Sequence, residues 1–417
     1  MAPHAAPDSS GPVTRRSFLT AATLAPVVWR AAAADDAGTA DDAGNAADLP
    51  DLLTGVAVAD ALKVREVVVE FMTRHEVPGL SMAFARDGQL KVQGTFGFAD
   101  REEKQPVLPE HRFRIASISK PITSVAIFKL IEEGTLALDD QVFADDRLLA
   151  TYLDGPLAGD AENRKRLEAI TIAQLLEHTC GGWGNRKRDP MFARDALDLD
   201  HPGLIRWVLE NRPLDHAPGA EYSYSNFGYC LLGRVIEAVS GQSYDAFVQE
   251  RLLTPAGVRG IVLGEREREN RLPDEVIYYG DGDDPYGRSM NVRRMDSHGG
   301  WVASASELVR FGVHVDGNGP PADLLEEASL QAMTTPSSAN KGYARGWAVN
   351  RASNWWHMGS LNGSASILIR SHSGYSCAVL VNTRRRNDDF KRDLDRLSWQ
   401  VLRQIREWPS HDLFHVG

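Results

Sequence analysis

The sequence predicts an α/β (α+β) fold: an antiparallel sheet flanked by helices, completed by both ends of the chain, with a mostly helical part between them. Three observations carry this. Strand patterns come early, at Leu80–Ala85 and Leu90–Phe96. They return late, as four short apolar or alternating runs at Trp347–Asn350, Asn354–His357, Ser364–Ile369 and Cys377–Val381. The stretch from 139 to 300 is mostly helical with polar connections. Strands confined to the two ends of a chain form one sheet only if those ends come together.

In chain order, the first segment reads as an address. Thr14-Arg15-Arg16-Ser17-Phe18-Leu19 resembles a twin-arginine export signature. The apolar run Leu19–Val28 follows, and Ala31–Ala34 supplies an A-x-A cleavage pattern before Asp35. The run is too short to span a bilayer, and no other stretch approaches that length, so no stable membrane span is expected. Residues 1–34 are thus expected to be a signal peptide, and the protein to be exported, periplasmic or extracellular. Residues 35–55, rich in Asp, Ala and Gly, bury too little apolar surface to order and are expected to form a disordered leader. The domain proper is placed at 56–417, its α/β part at about 56–116 and 299–417 and its helical insert at about 117–298.

Within that domain, Leu62, Val64, Val67, Val68, Phe71 and Met72 recur at helical spacing over 58–75, and Pro78-Gly79 stops the helix. Asp87-Gly88 between the first two strands is a hairpin-turn signal. Ser117–Glu133 reads as a helix ended by Gly134, and Ile172–His178, Leu204–Glu210, Tyr229–Val239 and Tyr244–Leu252 as further helices. The charged, Gly- and Tyr-rich stretch 265–298 has no clear period and reads as loop. Residues 388–407 put Phe390, Leu394, Leu397, Val401 and Ile405 on one side of a closing amphipathic helix.

Composition narrows the function classes. A chain of 417 residues, 43% hydrophobic, is long enough for a large core. A net charge of -11 leaves no basic surplus to neutralise phosphates, which argues against nucleic acid as a partner. Cys180, Cys230 and Cys377 form no C-x-x-C pair, and three buried thiols are expected rather than one disulfide and a free thiol. No metal or organic cofactor is expected, and a monomer is the default.

Three short motifs carry chemistry. Ser117-Ile118-Ser119-Lys120 is an S-x-x-K that leads into an apolar helix. At that spacing the two side chains share a face. A serine hydroxyl needs a proton acceptor to become a nucleophile, and a partly desolvated amine can supply one. The alternative for this tetrapeptide is an N-cap serine with a surface lysine. A second copy, Ser338-Ala339-Asn340-Lys341, sits in a Ser/Asn/Gly-rich loop without an apolar helix behind it and reads as chance. Tyr224-Ser225-Asn226 is the only Y-x-N; a phenol can shuttle protons and an amide can hold a carbonyl or position the lysine. Its alternative is a turn with a helix cap. His357-Met358-Gly359-Ser360 stands at the end of an expected strand, where Gly359 would admit a substrate backbone and the Ser360 N–H would donate to an oxyanion. H-x-G also occurs at His201 and His298.

Together these motifs resemble the superfamily of class C β-lactamases, D-alanyl-D-alanine peptidases and family VIII esterases. Leu136–Asp140, Leu175–Gly182 (with Cys180 where the family usually has serine), Pro255–Val258 and Gly299–Ser304 add to the likeness, which runs from about Pro78 to Thr383. The resemblance implies a β-lactamase/transpeptidase-like fold and an acyl-enzyme mechanism. Ser117 would be the nucleophile, Lys120 its activating neighbour and Tyr224 the general base and proton shuttle. Asn226 would contact substrate, His357 would line the edge strand, and the amides of Ser117 and Ser360 would form the oxyanion hole. Many β-lactamases carry lysine where this chain has His357, so an esterase-like or D-alanyl peptidase-like hydrolase of small-molecule or peptide substrates is expected ahead of a β-lactamase. A nearby arginine would restore the missing charge. Trp355 and Trp356 are candidates for an apolar acyl pocket or for core packing. A catalytically inactive binding or sensor domain is the alternative of another class. The chain has no G-x-S-x-G, which disfavours an α/β-hydrolase, and His75-Glu76 has no partner histidine for a metalloprotease.

Overall fold

The structure, a computed structural model, describes residues 49–415 and the backbone of 27–29. The main sheet is antiparallel throughout, in the order β1 (Val27–Trp29), β2 (Asp51–Thr54), β4 (Gln89–Asp100), β3 (Gly79–Arg86), β12 (Tyr375–Val381), β11 (Ser364–Arg370), β10 (Trp355–Leu361), β9 (Ala348–Val349). A short strand β5 (Gln105–Pro106) adds to β4. The join between the two ends of the chain is β3 against β12, running from Leu80 opposite Val381 to Arg86 opposite Tyr375. The β3–β4 hairpin turns at Asp87 and Gly88, both at positive φ (50° and 75°), which fits the twist of the two strands.

Strand alternation sends two sets of side chains to two cores. Leu80, Met82 and Phe84 of β3 and Cys377, Val379 and Val381 of β12 meet helices α1 (Val58–His75) and α11 (Asp388–Gln404) on one face. Ala83 and Ala85 of β3 and Ala378 and Leu380 of β12 face the other core. Small residues there let α9 (Ala305–Val313) lie close to the sheet. That second core continues into the helical part, built on α2 (Ser119–Glu132), α3 (Ala161–Glu168), α4 (Ile172–Leu176), α5 (His201–Asn211), α6 (Asn226–Ser240), α7 (Tyr244–Val248), α8 (Asp296–Gly299) and, near the end, α10 (Glu327–Thr334). Eleven of the fourteen residues of α2 are buried, so it is a central helix that is covered on all sides. A small sheet, β6 (Phe113–Arg114), β8 (Trp301–Ala303) and β7 (Val262–Leu263), ties the entry to α2 back to the end of the insert.

Several boundaries differ from the sequence reading. Asp51–Thr54, assigned to the disordered leader, pairs with Gln93–Phe96 as a sheet strand, because the free side of β4 accepts any extended backbone. The strand at Val27–Trp29 falls inside the stretch read as signal peptide, whose Arg15-Arg16 pair and Ala31–Ala34 lie outside the described residues. The segment read as loop at 265–298 ends in α8, and Ile277 and Tyr279 donate backbone hydrogen bonds to Ala99 and Asn382. All three cysteines are buried free thiols. Among the described residues no helix is long and apolar enough to cross a membrane.

Candidate functional site

Ser117 lies in a 3-10 turn, Ala116–Ile118, that opens directly into α2. The turn is gripped from below. Ser364 and Ser366 on β11 donate to the carbonyls of Arg114 (3.1 Å) and Ile115 (2.8 Å), and the Ile115 N–H donates to Trp301 on β8 (3.0 Å). Ala116 is held at φ 50°, a left-handed conformation that an alanine adopts only under constraint. Three residues on, the Lys120 amine stands 3.3 Å from the Ser117 hydroxyl.

The Lys120 amine has two other partners, the Asn226 side-chain oxygen at 2.7 Å and the His298 carbonyl at 2.9 Å. A neutral amine has two hydrogens and one lone pair. With both hydrogens directed to those oxygens, the lone pair is left for the Ser117 proton. Burial, only partly opposed by the Asp189 carboxylate, pushes the Lys120 pKa down to about 7. Asn226 is the first residue of α6, capped by Ser225, so the helix start fixes its place. Tyr224 lies close to Ser117, whose hydroxyl partly offsets the effect of burial on the phenol, and the Lys120 amine sits 4.9 Å from the centre of the Tyr224 ring. Burial raises this phenol well above its ordinary value. In the unliganded protein it is therefore a neutral hydroxyl and not the phenolate that a base role would need.

Behind Tyr224 runs a chain of polar rings. The Ser225 N–H donates to His178 Nδ1 (3.1 Å), which leaves the proton on Nε2, 3.2 Å from the Tyr343 hydroxyl. That hydroxyl lies 3.1 Å from His357 Nε2, and His357 Nδ1 faces the Met358 carbonyl at 2.8 Å. Each step has one donor and one acceptor when both imidazoles are neutral. Burial and the nearby Lys120 push His357 down to about 3 and His178 well below its usual value.

The structure thus brings Ser117, Lys120, Tyr224 and Asn226 together, and corrects three details nearby. His357 is the third residue of a seven-residue strand rather than its end, and it backs Tyr224 (ring centres 6.3 Å apart). Gly359 faces the Ile115 carbonyl instead of a substrate backbone: a Cβ there would meet that oxygen at 2.0 Å. Trp355 stacks on the Arg370 guanidinium (3.7 Å) in one core, Trp356 packs against the other, and neither lines the cleft. The second S-x-x-K has no helix, and the Lys341 amine bonds the Ser337 carbonyl.

A cleft of about 540 Å³ opens beside Ser117, with Asn226 and Ser360 on its walls. Phe192, Met290, Met295 and Leu361 make one side apolar, and Arg384, Arg385, Arg386 and Lys391 stand on the rim. Arg384 and Arg386 pair with Asp283, and Arg385 with Glu76 and Asp281. Sequence reasoning missed Asp189, Tyr343 and this apolar wall, none of which sits in a motif. Among the described residues no group of His, Cys, Asp and Glu is placed to hold a metal ion.

Comparison with known proteins gives the family and the fold. A family model described as Beta-lactamase matches residues 64–398. The chain is 25% identical over 352 residues to Protein flp of Staphylococcus aureus (strain MW2), covering 82% of this chain and 67% of that protein. It is 29% identical over 332 residues to Penicillin-binding protein 4 of Amycolatopsis lactamdurans, covering 74% and 82%. Among solved structures, the D-amino acid amidase from Ochrobactrum anthropi SV3 complexed with L-phenylalanine superposes with a TM-score of 0.67 at 20% identity, over 83% of this chain and 98% of the other, a likeness of fold.

Proposed function

The chain belongs to the beta-lactamase family, and from that premise we propose that it is an exported serine hydrolase that forms an acyl-enzyme on Ser117 and cleaves ester or amide bonds of small or peptide substrates. The observation that carries this is the Lys120 amine, 3.3 Å from the Ser117 hydroxyl with its other two contacts to oxygens. Ser117 Oγ attacks the substrate carbonyl carbon and its proton passes to Lys120. The backbone N–H groups of Ser117 and Ser360 hold the developing oxyanion. The Tyr224 hydroxyl relays a proton from Lys120 to the leaving oxygen or nitrogen as that bond breaks. Water then attacks the acyl-enzyme by the same route in reverse, and Ser117 regains its proton.

The apolar wall favours an apolar acyl group. A carboxylate-bearing substrate, whether a D-amino peptide or a β-lactam, is the second reading, and the cationic rim favours it. Intact mass after exposure to a fluorophosphonate should show one adduct, on Ser117, and Ser117→Ala should abolish both the adduct and p-nitrophenyl ester turnover. An adduct on another residue, or turnover in Ser117→Ala, overturns the reading. Export predicts a secreted form whose first residue lies near Asp35, which N-terminal sequencing reads.

A further inference from the structure

Lys120 can serve as a base only if its lone pair points at Ser117, and that depends on which end of the Asn226 amide faces it. The amide reaches Lys120 through its oxygen (2.7 Å) and, on its other side, donates its nitrogen to Asp189 Oδ2 (2.6 Å). Asp189 caps the short turn Pro190–Phe192, where its second oxygen accepts the Met191 N–H at 3.0 Å. Turned over, the amide would set its oxygen against a carboxylate and its nitrogen against the amine. Both contacts would then be mismatched.

We propose that Asp189 is a positioning residue for the reaction: its carboxylate locks the Asn226 amide with the oxygen toward Lys120, and so directs the Lys120 lone pair at Ser117. This rests on the hydrolase reading above, in which Lys120 takes the Ser117 proton. Asp189 also supplies negative charge. The other groups facing Lys120 are the phenols of Tyr224 and Tyr229 and the imidazoles of His178, His298 and His357, and burial keeps all of these neutral. Asp189 is the anion that opposes the desolvation of Lys120.

The isosteric variant Asp189→Asn is the test. Its amide oxygen keeps the Met191 N–H, its NH2 faces Asn226, and the Asn226 amide must turn over to accept from it. Lys120 then loses an acceptor, and its lone pair is drawn to an N–H. On an uncharged acyl ester, kcat/KM should fall by roughly tenfold or more. The acidic limb of its pH profile should move to lower pH, because the charge favouring the ammonium is gone. Asp189→Glu, less isosteric but still a carboxylate, should retain more activity than Asp189→Asn. In an Asn226→Ala background Asp189→Asn should cost little more, since its lever is already missing. A merely structural role predicts the reverse order of Glu and Asn and multiplicative losses in the double variant. Either result overturns the proposal, as does an unchanged rate with an unchanged limb. If Asp189→Asn does not accumulate folded, Asp189→Ala carries the same comparisons. Turnover by Ser117→Ala would instead sink the hydrolase reading itself, whatever Asp189 does.

Discussion

Burial takes the Lys120 ammonium out of water and brings its pKa to about 7, far below the usual lysine value. The neutral amine is the working form, so activity should be present above that pH and be lost as pH falls through it. The kcat/KM profile on an uncharged ester should show an acidic limb near pH 7, and a profile flat from pH 5 to 8 would contradict the assignment. Lys120→Arg keeps a cation that does not deprotonate and should cost about 10²–10⁴-fold in kcat/KM. His357 should contribute no limb in that range, because burial holds it neutral down to about 3. Its Nε2 is paired with the Tyr343 hydroxyl, which also links it to His178. Tyr343→Phe leaves two buried ring nitrogens unpaired and should destabilise the fold by about 1–3 kcal/mol, read by chemical denaturation. The residues that do chemistry through short spacing, Ser117 with Lys120 and Tyr224 with Asn226, were legible in the sequence. Asp189 and Tyr343 were not, because each acts on partners far off in the chain and neither belongs to a recognisable spacing.

Strand β10 shows why elements matter as much as residues here. It lies against the 3-10 turn of the nucleophile at Gly359, where any side chain would run into the Ile115 carbonyl and the Ser366 hydroxyl (2.2 Å from an added Cβ). Gly359→Ala should push the strand from the turn, costing about 1–3 kcal/mol of stability. It should also reduce acylation more than substrate binding, because the Ser360 N–H moves with the strand. A kcat loss with KM little changed checks this, and wild-type kcat would refute it. The long amphipathic helices at both ends and the Asp-Gly hairpin were read correctly, since each signals itself through periodicity or a turn. The reading of β10 stopped short at His357, because Gly359 and Ser360 interrupt the apolar pattern while still pairing with Ser366 and Ala365. The Trp355-Trp356 pair was legible in principle: neighbours on a strand point to opposite faces, so the two rings were never able to line one pocket. Asp51–Thr54 was hidden by the acidic stretch before it, and its strand form comes from an open sheet edge, a tertiary cause.

At the scale of the molecule, the closing of one sheet by two chain ends was legible because the strand patterns lie at those ends, and the end of β10, from the late part of the chain, lines the cleft. The charge distribution over that cleft was not. The chain carries -11 overall, yet four cations stand at the cleft mouth. Two effects therefore compete for an anionic substrate: repulsion by the whole molecule at long range and attraction by the rim at contact. The Debye length is about 8 Å at physiological ionic strength, so the distant acids are mostly screened before the substrate arrives. The rim arginines are already paired with Asp281, Asp283 and Glu76, which leaves Lys391 as the cation without an ion-pair partner among the described residues. The net pull on a carboxylate should then be modest and short-ranged. For a carboxylate-bearing substrate, raising salt from about 0.05 M to 0.5 M should lower kcat/KM a few-fold, while a neutral ester is unaffected. Lys391→Gln should remove most of that salt dependence and leave ester turnover intact. Asp283→Asn, which frees Arg384 and Arg386, should act in the opposite sense and raise the preference for the anionic substrate. If neither variant alters the ratio of anionic to neutral turnover, the rim plays no part in substrate choice, and the apolar wall of Phe192, Met290, Met295 and Leu361 sets it alone.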